Sequence, residues 1–249
     1  MGAIETSSIT AVPGIAQIGN LALCRVAVRR ALDRNSSLPG MVVLHGPSGY
    51  GKTIAANYLA NESRAFYVQA QSVWTRKAFL QAILREMSIR PAGTVCEMAE
   101  LIAQELAASG RPLFIDEADH VVDRGYIELV RDLYEASHAP ILLIGEELLP
   151  TKLQRYERVA GRVLAWVPAQ PVNLEDAKKL RTIYAADVAI ADDLLQRVVE
   201  VAHGSVRRVA VNLDLIQSEA LNEGLERADL GWWGRRELYT GEAAKRRRL

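Results

Sequence analysis

Five short apolar runs alternate with longer segments of helical periodicity over the first two thirds of the chain. Each run is continuously apolar and rich in Val, Ile, Leu or aromatic residues, which is typical of parallel strands buried on both faces. Strands that alternate with helices predict an α/β fold with a parallel five-stranded sheet and helices on both faces. The runs are Met41–His45, Ala65–Gln69, Leu113–Asp116, Ile141–Gly145 and Val163–Val167.

The pattern changes beyond residue 167. Pro168 opens a short linker, and no strand-like run follows it. Asn173 and Asp176 resemble a capping box that opens a helix, and two further helices are predicted over about 192–203 and 206–222. We therefore expect four parts: an N-terminal extension at 1–19, the sheet-containing core at 20–167, a small all-helical lid domain at 168–230 and a basic tail at 231–249.

One segment of the core has the spacing of a phosphate-binding loop. Residues 46–53 read G-P-S-G-Y-G-K-T, directly after a predicted strand and at the start of a predicted helix. Glycines let the backbone turn tightly and present N–H groups to phosphate oxygens, and the helix N-terminus adds its positive dipole end. In this motif Lys52 faces the β- and γ-phosphates, and the Thr53 hydroxyl ligates Mg²⁺. The predicted ATP-binding residues are Gly46, Pro47, Ser48, Gly49, Tyr50, Gly51, Lys52, Thr53 and Ile54.

An acidic pair ends the third apolar run. Asp116 is predicted to hold the metal through water, and Glu117 to orient and activate the water that attacks the γ-phosphate. Residues 116–119 also spell the DEAD motif of helicases, but the remaining chain is too short for a second motor domain. We therefore interpret Ala118 and Asp119 as incidental.

Charge and cysteine content narrow the classes of partner. Lys and Arg number 30, as do Asp and Glu, so the net charge is zero and any nucleic-acid surface has to be local. Cys24 and Cys96 form no metal or disulfide pattern. No signal peptide or membrane span is predicted, so we expect a soluble cytoplasmic protein with no membrane partner. The basic end of the chain, Arg235, Arg236 and Lys245–Arg248, is either a solvated tail or a phosphate-binding arm.

These motifs together resemble the AAA+ branch of the P-loop ATPases over about residues 18–222. The stretches HGPSGYGKT, LFIDEADH and ILLIGEELLP are most similar to the ATPases of DNA transposition, the group that includes the phage Mu B protein and the TnsC and TniB proteins. The resemblance implies an ATPase that forms a homo-oligomeric filament or ring on duplex DNA, with little sequence preference. It also implies delivery of that DNA to a transposase, in a bacterial or phage-infected cell. Mu B has an N-terminal helix-turn-helix domain for which we see no room here, so we expect core and lid alone.

The resemblance also assigns roles to arginines. The segment from Gly204 to Arg208 is similar to the sensor 2 motif, which implies that Arg207, or else Arg208, reaches from the lid to the γ-phosphate. Glu146 follows the fourth run, where the family usually has Asn, Thr or Ser as sensor 1. A solvated helix face is the competing interpretation for the lid arginines.

AAA+ sites are completed by an arginine finger from a neighbouring subunit. Arg155, Arg158 and Arg162 lie in the expected window before the last strand, and Arg162 is the preferred candidate with Arg158 next. Such a finger implies activity only in the assembled oligomer. Three arginines on a solvated helix face remain the alternative.

A local DNA-binding segment follows the second run. Thr75, Arg76 and Lys77 combine a hydroxyl with two cations at a predicted helix start, which suits contacts to the DNA backbone. An ordinary helix start with solvated charges fits equally well.

The competing functions for the whole chain are a replication initiator or helicase loader and a protein-binding NTPase switch. The pair Trp232–Trp233 is interpreted as local packing of the last helix.

Overall fold

The computed structural model describes residues 18–242. The N-terminal extension up to residue 17 and the basic cluster Lys245–Arg248 lie outside the described residues. Within them, five strands form one parallel sheet in the order β2-β3-β4-β1-β5, which confirms the predicted fold class. The strands are β1 (Met41–His45), β2 (Phe66–Gln69), β3 (Leu113–Asp116), β4 (Ile141–Gly145) and β5 (Val163–Pro168).

Two apolar layers cover the faces of this sheet. Alternate residues of β1 enter different layers: Val42 and Leu44 pack with one, and Met41 and Val43 with the other. The first layer continues without a break into the region after residue 168, so core and lid share one apolar interior. The helices of the core are α1 (Gly19–Leu32), α2 (Lys52–Ser63), α3 (Arg76–Glu86), α4 (Val95–Ser109), α5 (Ala118–Asp123), α6 (Ile127–Ser137), α7 (Leu149–Gln154) and α8 (Glu157–Ala160).

The lid is mainly helical, as expected, but it also contains a short parallel ladder. Ala189 donates its N–H to the Glu226 carbonyl, and Ala191 donates to that of Ala228. These strands have two residues each, which is too short to leave an alternating pattern in the sequence, so the prediction of an all-helical lid is corrected here. The lid elements are α9 (Leu174–Tyr184), β6 (Ala189–Ile190), α10 (Asp192–Ala202), α11 (Val206–Asn222), β7 (Arg227–Ala228) and α12 (Leu230–Trp233).

The start of α9 differs from the predicted capping box. Asn173 Oδ1 does accept the Asp176 N–H, at 2.8 Å. The Asp176 carboxylate does not reciprocate, because its Oδ1 accepts the N–H of Gly19 at 2.9 Å. Asp176 therefore joins the lid to the first residue of α1.

Lid packing extends beyond residue 230, where the sequence predicted the tail to begin. Trp233 is 3% exposed, and its ring meets that of Trp232 edge-on at 5.7 Å, which agrees with local packing. Further along, the Tyr239 N–H donates to the buried Asn212 side chain on α11 at 2.7 Å. Of the helices in residues 18–242, none combines the length and apolarity needed to cross a bilayer.

Candidate functional site

A cavity of about 260 Å³ lies at the carboxyl edge of the sheet, between the core and the lid. It brings together residues from β3, β4, α2 and α11 that are far apart in the sequence. The predicted site residues that line it are Ser48, Gly49, Gly51, Lys52, Thr53, Ile54, Asp116, Glu117 and Arg207. Gly46, Pro47 and Tyr50 do not line it. The lid also contributes an apolar wall that the sequence analysis missed, formed by Tyr184, Val206, Ala210 and Val211.

The loop before α2 depends on its glycines for both conformation and space. Gly49 and Gly51 have φ values of 84° and 82°, in the left-handed region that favours glycine. A Cβ atom on Gly49 would lie 2.5 Å from Ser205 Oγ, and one on Gly51 would lie 2.9 Å from Ile18 Cδ1. The lid and the residue before α1 therefore press directly on this loop.

Lys52 lies inside the curve of the loop. Its Nζ donates hydrogen bonds to the carbonyl oxygens of Gly46 at 2.8 Å and Pro47 at 2.9 Å. Burial lowers the pKa of Lys52, and the nearby carboxylates of Asp116 and Glu117 oppose that shift. The ammonium is thus held within the loop, against two of its backbone carbonyls.

The Tyr50 side chain points away from the cavity. Its hydroxyl donates to the His203 carbonyl at 3.4 Å, and its ring lies against Gly204. Its own carbonyl accepts a hydrogen bond from the Asn20 side chain at 2.9 Å. The predicted cofactor residue Tyr50 is therefore a contact between the loop, the lid and α1.

Asp116 is fixed on both oxygens. It is 2% exposed, and its Oδ2 accepts the Tyr67 hydroxyl at 2.7 Å while its Oδ1 accepts the Glu117 N–H at 2.8 Å. Burial and the bond to Asp116 raise the pKa of Tyr67. Tyr67 lies within an apolar run and so carries no sequence signal of this role; the pairing of β2 with β3 brings it to the acid.

Glu117 has an unusual backbone for its position. It adopts φ 53° and ψ 40° immediately before α5. The other non-glycine residues with positive φ in the described chain all follow helices, where this conformation is usual: Arg64, Ser88, His138 and His203. Strain of this kind before a helix is typical of functional sites. Burial and the charge of Asp116 raise the pKa of the Glu117 carboxyl.

Asp119, interpreted above as incidental, is a buried structural contact. It is 5% exposed, and its Oδ2 accepts the Glu146 N–H at 2.6 Å. Glu146 lines the cavity. The interpretation of residues 118 and 119 as incidental letters is thus wrong for Asp119, since a contact across the fold leaves no local signal.

The two lid arginines, Arg207 and Arg208, lie in different surroundings. Arg207 lines the cavity, and its N–H donates to the Gly49 carbonyl at 3.2 Å. The Arg208 side chain lies instead against Gly241, near the end of the described chain. Of the two, Arg207 is the one that lines the cavity.

The finger candidates lie outside the cavity of their own subunit. Arg162 forms an ion pair with Glu135 of α6, and its carbonyl accepts the Met41 N–H at 3.0 Å, at the amino edge of the sheet. Arg155 and Arg158 are exposed, on the short helical stretch before β5. A contact of any of the three with another subunit stays a prediction.

The predicted DNA segment lies after β2, at the carboxyl edge of the sheet. Thr75 caps α3 by accepting the Ala78 N–H at 3.2 Å. Arg76 stacks on the Tyr126 ring with 5.5 Å between guanidinium carbon and ring centroid, and Lys77 is exposed. Arg124 adds a third cation, because its guanidinium donates to the Ser72 carbonyl.

Comparisons with known proteins agree with this geometry. Residues 34–153 match the family model described as AAA domain, a nucleotide-binding domain. Similar solved structures include the Cdc6p protein of Pyrobaculum aerophilum, with a TM-score of 0.64 and 16% identity over 88% of this chain and 66% of that one. The ORC2 protein of Aeropyrum pernix in its ADP form has a TM-score of 0.60 and 17% identity over 88% of this chain and 68% of that one.

A third similar structure is the ORC1 protein of Aeropyrum pernix in complex with DNA. Its TM-score is 0.59, with 22% identity over 87% of this chain and 63% of that one. At these identities the likeness establishes the fold, a P-loop AAA+ core followed by a helical region. The chain spans between 63% and 68% of the length of these structures.

Proposed function

We propose that this chain is a Mg²⁺-dependent ATPase whose substrate binds in the cavity between core and lid. The observation that carries the proposal is the convergence of Lys52, Thr53, Asp116, Glu117 and Arg207 on one cavity. Two of these residues supply cations for phosphate, and three supply the hydroxyl and carboxylates expected around a metal and an attacking water.

An apolar wall of the cavity suits the base of the nucleotide. Ile54, Tyr184 and Val211 line it, and they are 43%, 37% and 40% exposed. A purine ring would cover these side chains and remove their apolar surface from water. The cavity is therefore polar where it meets phosphate and apolar where it meets the base.

The residues that line the cavity have different roles in the proposed hydrolysis. Glu117 orients the attacking water and accepts its proton, and its raised pKa makes it a stronger base. Lys52 and Arg207 stabilise the negative charge of the phosphoryl group. Thr53 and Asp116 would hold Mg²⁺, which when bound neutralises phosphate charge.

Replacement of Lys52 tests the phosphate site. Lys52→Ala should weaken ATP binding by about tenfold to a hundredfold, because it removes a charged donor inside the loop. Titration with a fluorescent ATP analogue measures this. Lys178→Ala, which removes a lysine paired with Glu175 on the lid surface, is the matched control and should bind normally. Equal affinity of Lys52→Ala and wild type would contradict the site.

We propose further that the ATPase acts on duplex DNA as a homo-oligomer. Arg76, Lys77 and Arg124 surround one exposed segment, and Thr75 orders it by capping α3. A similar solved structure, the ORC1 protein of Aeropyrum pernix in complex with DNA, supports this reading of the fold. Contacts of cations to phosphate position DNA and read no bases, so we expect little sequence preference.

A charge-matched pair of variants tests the DNA surface. Arg76→Ala/Lys77→Ala should weaken ATP-dependent retention of duplex DNA equally for unrelated sequences. It should also reduce the slope of log affinity against log salt by about two, since each lost phosphate contact removes about 0.9. Arg30→Ala/Arg197→Ala removes the same charge from α1 and α10 and should leave the slope unchanged. Equal DNA retention and equal salt slopes for the two double variants would contradict the proposed DNA surface.

For the biological role we propose delivery of target DNA to a transposase. The motif stretches that resemble the transposition ATPases support it, whereas the fold likeness to Cdc6p and the ORC proteins supports a replication initiator or helicase loader. Electron microscopy with duplex DNA and a non-hydrolysable ATP analogue separates them. Helical filaments favour the transposition role, and closed rings favour the loader. Failure to retain DNA would favour a protein-binding switch.

A further inference from the structure

Asp119 joins two parts of the site that are distant in the sequence. It lies in the first turn of α5, two residues after Glu117, and its side chain reaches the loop that follows β4. There its Oδ2 accepts the Glu146 N–H at 2.6 Å. Both Glu117 and Glu146 line the nucleotide cavity, so one buried carboxylate ties together the segments that carry them.

Lys152 of α7 supplies the charge that such a buried carboxylate requires. Its Nζ lies 2.9 Å from Asp119 Oδ1 and 2.8 Å from Asp123 Oδ2. A carboxylate that is 5% exposed is unfavourable unless it is paired and hydrogen-bonded, and here it is both. Gly145 completes the arrangement, because a Cβ atom at that position would clash with Asp119 Oδ2.

We propose that Asp119 is a positioning residue for ATP hydrolysis, which holds Glu117 in register with the loop of Glu146. The inference rests on the proposed ATPase function. The strained backbone of Glu117 persists only if its surroundings fix it, and α5 is the element that follows it directly. Asp119 anchors the first turn of α5 to the loop that follows β4. Loss of this anchor lets Glu117 shift away from the attacking water.

The effect should fall on the chemical step. Lys52 and Thr53 lie in the first turn of α2, and Lys52 donates its hydrogen bonds to Gly46 and Pro47 of the preceding loop. ATP should therefore bind normally while its hydrolysis slows. A misplacement of about 1 Å in a catalytic group lowers turnover by about a hundredfold.

Paired double variants separate the hydrogen bond from the ion pair. Asp119→Asn/Lys152→Met retains an amide oxygen that accepts the Glu146 N–H, and it removes both charges together. Asp119→Ala/Lys152→Met removes both charges and the acceptor. We expect kcat within about threefold of wild type for the first and about a hundredfold lower for the second, with ATP affinity unchanged in both. Glu62→Ala, which breaks ion pairs of α1 outside the site, controls for general destabilisation.

Hydrogen exchange of the Glu146 amide gives a readout that needs no ATPase activity. The amide should be protected in wild type and in the Asn variant, and should exchange faster in the Ala variant. Wild-type turnover in the Ala variant, or equal loss in both double variants, overturns the inference. If the Glu146 amide exchanges as expected in all three proteins but wild type hydrolyses no ATP, the proposed ATPase function fails. The hydrogen bond between Asp119 and Glu146 is then still supported. If the Ala variant does not fold, the same comparison is made with Asp119→Ser/Lys152→Met, whose shorter side chain cannot reach the Glu146 amide.

Discussion

At the scale of single residues, the proposed chemistry of the site depends on Glu117. It is the one non-glycine residue with positive φ among residues 18–242 that precedes a helix. Burial and Asp116 raise its pKa, which suits a group that accepts a proton from water. Its neighbour Asp116 is fixed by Tyr67 and has no freedom to take over this role.

Glu117→Gln separates binding from hydrolysis. Glutamine keeps the size of the side chain and loses the base, so ATP affinity should be unchanged while hydrolysis falls by at least about a hundredfold. DNA-bound assemblies should then persist longer, since ATP is no longer consumed. Rates of phosphate release and of DNA dissociation measure the two effects. Glu147→Gln alters an exposed acid that does not line the cavity and should behave as wild type.

Residues of the site differ in how far their roles could be predicted from the sequence. The phosphate loop and the pair Asp116–Glu117 are each contiguous, so their spacing alone predicts them. Tyr67 and Asp119 act through partners 49 and 27 residues away, and no local pattern marks either contact. The left-handed backbone of Glu117 is likewise imposed by the fold, since glutamate has no intrinsic preference for it.

At the scale of elements, the start of α1 fastens the nucleotide loop to the lid. Asn20 is 4% exposed, and its Nδ2 donates to the Tyr50 carbonyl at 2.9 Å and the Gln170 carbonyl at 2.8 Å. Its Oδ1 accepts the Gln170 N–H at 2.6 Å. One amide thus connects α1, the loop before α2 and the linker after β5.

Asn20→Ala should destabilise this junction. It leaves the Gln170 N–H and two carbonyls without their partner, which lowers the free energy of unfolding by about 2–4 kcal/mol. ATP binding should weaken as well, because the loop loses one of its supports. Urea unfolding and ATP titration measure the two effects. Asn222→Ala removes an exposed asparagine at the end of α11 and should change stability by less than about 0.5 kcal/mol. A similar loss in both variants would contradict the role of Asn20.

Elements were predictable in proportion to their length and burial. The five core strands lie within one residue of their predicted bounds, because a strand buried on both faces needs a continuous apolar run. Helix α11 lies at the bounds predicted for it. The two-residue strands β6 and β7 have no periodicity to detect, and the contact of Asp176 with Gly19 joins residues 157 positions apart.

At the scale of the whole molecule, lid and core form a single unit around the cavity. They share an apolar interior, and Arg207 of the lid donates its N–H to Gly49 of the loop. Nucleotide in the cavity would contact both parts at once. If the proposed function holds, we expect the state of the nucleotide to affect the position of the lid.

Replacement of Arg162 tests whether a neighbouring subunit contributes to ATP hydrolysis. Arg162 lies at the amino edge of the sheet, away from its own cavity, and pairs with Glu135. Arg162→Ala should leave ATP binding intact and lower hydrolysis by about 10²–10³, the effect of losing one transition-state donor. ATPase assays with DNA present measure the loss. Glu135→Gln, which frees Arg162 without removing it, is the control and should retain hydrolysis.

A mixture of two inactive variants distinguishes a finger from a surface arginine. Arg162→Ala keeps an intact Glu117 but lacks the finger, and Glu117→Gln keeps the finger but lacks the base. In a mixed assembly some interfaces join an intact site to an intact finger, so activity should return on mixing, although each variant alone is inactive. A solvated arginine predicts a normal single variant and simple dilution in the mixture. If Arg158→Ala complements Glu117→Gln and Arg162→Ala does not, the finger is Arg158. Arg158 is exposed on α8, where a neighbouring subunit could contact it, whereas Arg162 is paired with Glu135.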